Sequence, residues 1–172
     1  MSKPIFNIAD AELLPPPPGM APSGETATRY EARMARISGQ IGAQKPGYNI
    51  TAVPSGKRAF PPHNHHVNEE MFFVLEGTGE VQIGEAVYPI RQGDIVALPA
   101  GGKEAAHVVT NTGSVELKYL AVSTRISPEI CEYPVSGKFG ISEELSAGAD
   151  GNPGYFRYVG RENVASDYWE GE

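Results

Sequence analysis

The chain has 172 residues, 40% of them hydrophobic, a formal charge of -7 and a sequence pI of about 5.1. That length suits one domain with arms, and an acidic surface repels phosphate backbones and anionic lipid, which excludes nucleic acid and membrane as expected partners. Glycine (20) and proline (15) are spread along the chain without a repeat, as in an all-β protein with many turns.

The start, Met1-Ser2-Lys3-Pro4-Ile5-Phe6, lacks the apolar stretch of a signal peptide. No later run approaches the roughly 18 to 20 apolar residues that span a bilayer, so a cytoplasmic protein is expected. Residues 1–27 hold Pro15-Pro16-Pro17-Pro18 and read as an extended arm, either loose or laid across the barrel or a partner subunit. Residues 28–125 read as the body. Tyr30 to Ile37 and Tyr48 to Val53 are predicted strands, the second stopped by Pro54-Ser55-Gly56. Met71 to Leu75 is a strand ending at Gly77. Glu80 to Ile83 and Ala86 to Ile90 form a hairpin about Gly84-Glu85, and Asp94 to Leu98 follows Gly93. His107 to Thr110 and Val115 to Ser123 complete the set. Short strands with a turn residue at nearly every junction are the pattern of a sandwich, jelly roll or closed barrel.

Beyond Arg125 the pattern breaks up, with a short helix expected near Ser142 to Ala147. Residues 126–172 are therefore read as a C-terminal arm. Its aromatics, Tyr155-Phe156-Arg157-Tyr158 and Tyr168-Trp169, are too many for a solvated tail, and they are expected to pack on the barrel or across a dimer. Cys131 is the single cysteine, so no intrachain disulfide forms, and the thiol is expected to be inert.

The histidines of the chain are His63, His65, His66 and His107. In an extended segment residues i and i+2 share a face, so His63 and His65 present two imidazoles side by side while His66 points away. A turn through Val67 to Glu69 brings a carboxylate back to the same face. Imidazole with carboxylate suits Mn, Fe, Co, Ni or Zn and does not suit Ca. His107 precedes the β-branched pair Val108-Val109 and so sits on a strand. Asp94, just after Gly93, reads as a turn carboxylate.

These spacings resemble the cupin superfamily. Its first motif, G-x5-H-x-H-x3/4-E-x6-G, is matched by His63, His65, Glu70 and Gly77, with the leading glycine offset by one at Gly56. Its second, G-x5-P-x-G-x2-H-x3-N, is matched by Gly93, Pro99, Gly101, His107 and Asn111, except that five residues, Gly102 to Ala106, stand where the family has two. The likeness covers about residues 48 to 124. The segment Pro128 to Gly140, with the closing Asp167-Tyr168-Trp169, is similar to bacterial single-cupin proteins, some of them labelled sugar-phosphate isomerases.

The resemblance implies a double-stranded β-helix, the cupin jelly-roll barrel. Within it His63, His65, Glu70 and His107 would form a three-His, one-carboxylate site for one divalent transition metal (Fe, Mn, Ni, Co or Zn). The six residues between Glu70 and Gly77, and strand parity with Phe72 and Val74, select Glu70 over Glu69. Phe72, Val74, Val96, Leu98 and Val109 then line the core or lumen, and Gln82 and Tyr88 are candidates for polar contacts. His66 and Lys103 are expected at the rim. The implied function is a metal-binding cupin acting on a small polar metabolite, as an isomerase or a dioxygenase. The alternative is a non-catalytic module that binds or senses a small ligand. Exposed barrel edges and aromatic arms argue for a homodimer.

Overall fold

The structure, a computed structural model, describes residues 3–147, 153–161 and 166–171. Its strands are β1 (Arg33–Arg36), β2 (Gly47–Val53), β3 (Asn64–His65), β4 (Glu70–Glu76), β5 (Thr78–Ile83) and β6 (Ala86–Arg91). They continue with β7 (Ile95–Leu98), β8 (His107–Thr110), β9 (Leu117–Ser123), β10 (Glu129–Tyr133), β11 (Lys138–Ala147) and β12 (Pro153–Arg161). A single helical turn, α1 (Thr26–Arg29), stands before β1, so the first predicted strand begins only at Arg33.

The strands form a five-stranded sheet in the order β1-β2-β9-β4-β7, a four-stranded sheet β12-β11-β10-β3 and a three-stranded sheet β6-β5-β8. Just before β3, an antiparallel bridge between His63 and His107 joins the last two. Its hydrogen bonds run from His63 N to the His107 carbonyl (3.2 Å) and from His107 N to the His63 carbonyl (2.8 Å). The result is two facing layers. Val53, Phe72, Val74, Leu98, Leu117 and Tyr119 from the first meet Val81, Ile90 and Val109 from the second in one buried cluster. This is the core that the period-2 alternation of these strands requires. The layers have the jelly-roll arrangement, although among the described residues the three sheets are not hydrogen-bonded into a closed barrel.

The opposite parity of the five-stranded sheet carries a second cluster, Ala35, Ile37 and Ile50 with Leu75 and Leu120. The N-terminal arm lies on it: Phe6, Ala11 and Leu13 pack there, and Leu14 bridges Met34. The arm is laid on its own barrel.

Two expectations for the C-terminal segment are corrected. Ser142 to Ala147 is not helical but the second half of β11, because β12 and β10 both pair with that strand. Long-range ladder partners rich in β-formers override the local helical preference of Glu143-Glu144-Leu145. Part of the segment does lie on the body of the fold, where β10 pairs with β3 in the register Cys131 opposite His65 and Glu132 opposite Asn64. Tyr168 and Trp169 do not pack on the barrel; they stack edge-to-face on each other at 4.9 Å and remain exposed.

Candidate metal centre

The bridge that joins the two sheets also builds the site. Backbone pairing of His63 with His107 sets their rings 4.6 Å apart, and the i, i+2 relation puts the His65 ring 5.2 Å from that of His63. From the facing layer β4 brings in Glu70. Its Oε2 lies 3.1 Å from His107 Nε2 and 3.5 Å from His65 Nε2. Donor atoms of His63, Glu70 and His107 all lie within 4.8 Å of one another, a set that could hold a metal ion. His65 stands at the edge of that set, in contact with it through Glu70.

The ring orientations have local causes. His63 Nδ1 lies 2.9 Å from the Pro61 carbonyl and His107 Nδ1 lies 3.4 Å from the Ala105 carbonyl, in each case the residue two before it. Each ring therefore turns Nδ1 toward a backbone carbonyl, and His107 turns Nε2 toward Glu70. The carbonyl of Ala105 is available because the lengthened loop is folded into a 3-10 turn, Lys103–Ala105. Ala106 O accepts from Gly84 N at 2.8 Å and ties that turn to the β5–β6 hairpin. Phe72 meets the His107 ring edge-on at 5.9 Å and closes the site toward the core.

Burial opposes ionisation of Glu70, but donors from His107 and His65 outweigh it and hold the carboxyl well below the usual carboxylate range. Burial, together with the neighbouring His107 and His65, pushes His63 down to about 4. Burial also works against protonation of His65, yet Glu70 and Glu129 raise its pKa. The centre is therefore a carboxylate among imidazoles of which at least His63 is neutral at physiological pH. Neutral imidazole nitrogen and carboxylate oxygen form a donor set that fits a divalent transition metal.

Parity sorts the neighbours as expected. His66 turns away, its Nε2 3.1 Å from Glu132 Oε2, and Glu69 is exposed. Lys103 is exposed, and Asp94 accepts from Arg91 N in the turn. Phe72, Val74, Leu98 and Val109 are buried in the core, with Val96 packed against them. Gln82 and Tyr88 are corrected: both face solvent on the outside of the β5–β6 hairpin, and Gln82 donates only to the Gly84 carbonyl.

The sequence reading missed β10. On the face of β10 that carries Cys131 opposite His65 stand Glu129, 3.6 Å from His65 Nδ1, and Tyr133, stacked on His63 at 6.2 Å. The alternation in Glu129-Ile130-Cys131-Glu132-Tyr133 was the available signal. Burial pushes the Cys131 thiol up to about 11 and the Tyr133 phenol up to about 12, so both stay protonated. A cavity of about 220 Å³ adjoins His65 and Glu70; serines such as Ser127 and Ser142 line it together with Arg125, Tyr155 and the acidic residues Glu129, Glu143 and Glu144.

The two facing β layers carry a histidine and carboxylate cluster at one end, and residues 49–123 match the family model for the cupin domain. The chain carries a cupin domain. A sugar phosphate isomerase of the cupin superfamily from Silicibacter pomeroyi has the same fold over 94% of this chain and 95% of its own, with a TM-score of 0.74 and 20% identity. A provisionally named sugar phosphate isomerase from Acidithiobacillus ferrooxidans is 25% identical, with a TM-score of 0.60 over 73% of this chain and 76% of its own. An uncharacterized protein of Methanocaldococcus jannaschii is 31% identical over 71 residues, 41% of this chain and 54% of that protein. The match thus spans about half the length of that relative.

Proposed function

We propose that this cupin holds one divalent transition metal on His63, His65, Glu70 and His107, and that it acts on a small polar metabolite in the cytoplasm. The observation that carries the reading is the convergence of Glu70 with His63 and His107, with donor atoms within 4.8 Å of one another and two rings turned by backbone carbonyls. A bound ion would supply Lewis acidity toward an oxygen of the substrate. The residues of the chain do the rest: Glu70 stays ionised, Phe72 excludes water from the core side, and the polar cavity beside His65 and Glu70 receives the ligand. A volume of about 220 Å³ suits a small polar molecule rather than a drug-sized one.

Isomerisation of a sugar or keto compound is favoured over dioxygen chemistry by the likeness to the Acidithiobacillus ferrooxidans protein. The test begins with elemental analysis of the purified protein, expected to give about one transition metal per chain, and of His65→Ala, expected to lose metal and thermal stability together. An unchanged metal content in His65→Ala removes the assignment. Interconversion of aldoses and ketoses in a metabolite panel then supports the isomerase. Oxygen consumption supports the dioxygenase, and saturable binding without turnover supports the sensing module.

A further inference from the structure

The His65 imidazole lies between two carboxylates, with Nε2 3.5 Å from Glu70 and Nδ1 3.6 Å from Glu129. Which ring nitrogen carries the proton decides what His65 can do. With the proton on Nε2 the ring donates to Glu70 and offers no lone pair to a metal; with the proton on Nδ1, Nε2 is a ligand. His63 Nδ1 has the Pro61 carbonyl at 2.9 Å and His107 Nδ1 the Ala105 carbonyl at 3.4 Å, but His65 Nδ1 is buried with no hydrogen-bond partner among the described residues, and Glu129 lies on that side.

Resting on the metal-centre reading above, we propose that Glu129 is the positioning residue of His65: it holds the proton on Nδ1 and turns Nε2 to the metal. This makes β10, which lies outside the matched cupin domain, part of the centre.

The carboxylate is built into place. Glu129 is buried, its Oε1 accepts from Val67 N at 3.2 Å, and its Oε2 accepts from Asn68 N at 2.8 Å and from the Asn68 side-chain amide. Asn68 is itself fixed: it donates to Ile126 O at 2.9 Å, and its Oδ1 accepts from Ile126 N at 2.7 Å and Thr124 Oγ1 at 2.8 Å. A carboxylate held on both oxygens in this way cannot swing aside, so it presents a fixed negative charge to His65 Nδ1. The ladder between β3 and β10, with His66 N bonded to Ile130 O at 2.9 Å, sets the distance. At 3.6 Å the carboxylate stands just beyond hydrogen-bond length, and a turn of the His65 ring alone would make the bond a charge-assisted one. A carboxylate behind a ligating imidazole is worth tenfold to hundredfold in metal affinity.

The experiment titrates metal-free protein with Co(II) against a competing chelator, in the wild type, Glu129→Gln, Glu129→Asp and His63→Ala. Glu129→Gln should bind about 10 to 100 times more weakly, with an altered Co(II) visible spectrum, and Glu129→Asp should recover part of the affinity. Because Glu129 also fastens the turn at Val67 and Asn68, a fold-independent measurement accompanies it. Imidazole 15N NMR of the wild-type Zn(II) form, assigned with His65→Gln, should find the His65 proton on Nδ1. Wild-type affinity and spectrum in Glu129→Gln, or a proton on Nε2 in the wild type, overturns the role of Glu129 while leaving the centre intact. If the wild type binds no better than His63→Ala, the centre itself is wrong and the proposal goes with it.

Discussion

At the scale of single residues, the strand that begins at Glu70 ends in a turn suited to glycine. Gly77 joins β4 to β5 at φ +83, and a Cβ there would stand 2.6 Å from the Glu116 carbonyl oxygen and 3.0 Å from Leu117 Cα. Left-handed backbone costs a non-glycine residue about 1–2 kcal/mol, and the clash is with backbone that cannot rotate out of the way. Gly77→Ala should therefore destabilise the fold by about 2–4 kcal/mol, measured by denaturant unfolding of the metal-free protein. A loss below 0.5 kcal/mol would show that the turn relaxes freely. The same glycine closes the first sequence motif, so its spacing from Glu70 has a physical reason: it ends the strand that carries the carboxylate. Strand parity and local spacing suggested that His63, His65 and Glu70 share a face, whereas His107 was implied only by the resemblance to the cupin motifs, because it reaches His63 through a bridge between distant parts of the chain. Glu129 and Tyr133 were not legible, because they reach the site through β10 pairing with β3 more than sixty residues earlier in the chain, and no local pattern encodes that partner.

At the scale of elements, the inner strands of the barrel were readable from alternation and turn residues, whereas segments whose state is set by a distant partner were not. Glu143-Glu144-Leu145 has helical character in isolation and becomes a strand only because β12 lies beside it. The N-terminal arm is a similar case, since its prolines exclude a ladder but do not say where it rests. It rests on the outer face of the five-stranded sheet, away from the core face that includes Phe72 and Val74. A cavity of about 500 Å³ bordered by Phe6, Leu14, Pro16 and Met34 remains beneath it, so the packing is incomplete. Removing the first fourteen residues should cost about 1–3 kcal/mol, less than the full burial of two large side chains, while metal affinity stays within about threefold. Loss of metal binding in a folded truncation would show that the two faces are coupled.

At the scale of the whole molecule, the β11–β12 hairpin sets the remaining question, which is what covers it. Among the described residues β12 is the edge of its sheet, and both parities of it carry exposed apolar groups: Tyr155 and Val159 on one, Phe156 and Tyr158 on the other. An open edge with apolar side chains on both faces is an association surface unless it is protected. Lys, Pro or a bulge in mid-strand would protect it, and β12 has only Arg157 among these aromatics. We propose a second copy of the chain as that partner, because an edge strand and its aromatics can meet their own kind across a two-fold axis. Light scattering coupled to gel filtration should accordingly give a dimer mass. Phe156→Glu, which places a carboxylate at the centre of that strip and lies on the parity opposite Tyr155 and the cavity, should weaken the dimer by about 2 kcal/mol or more. Its metal content should be unchanged, because no ligand of the centre lies on β12. A wild-type monomer at micromolar concentration would refute the dimer. If metal is lost together with the dimer, the centre depends on the partner copy, and the hairpin acts as a support for β10 and through it for His65.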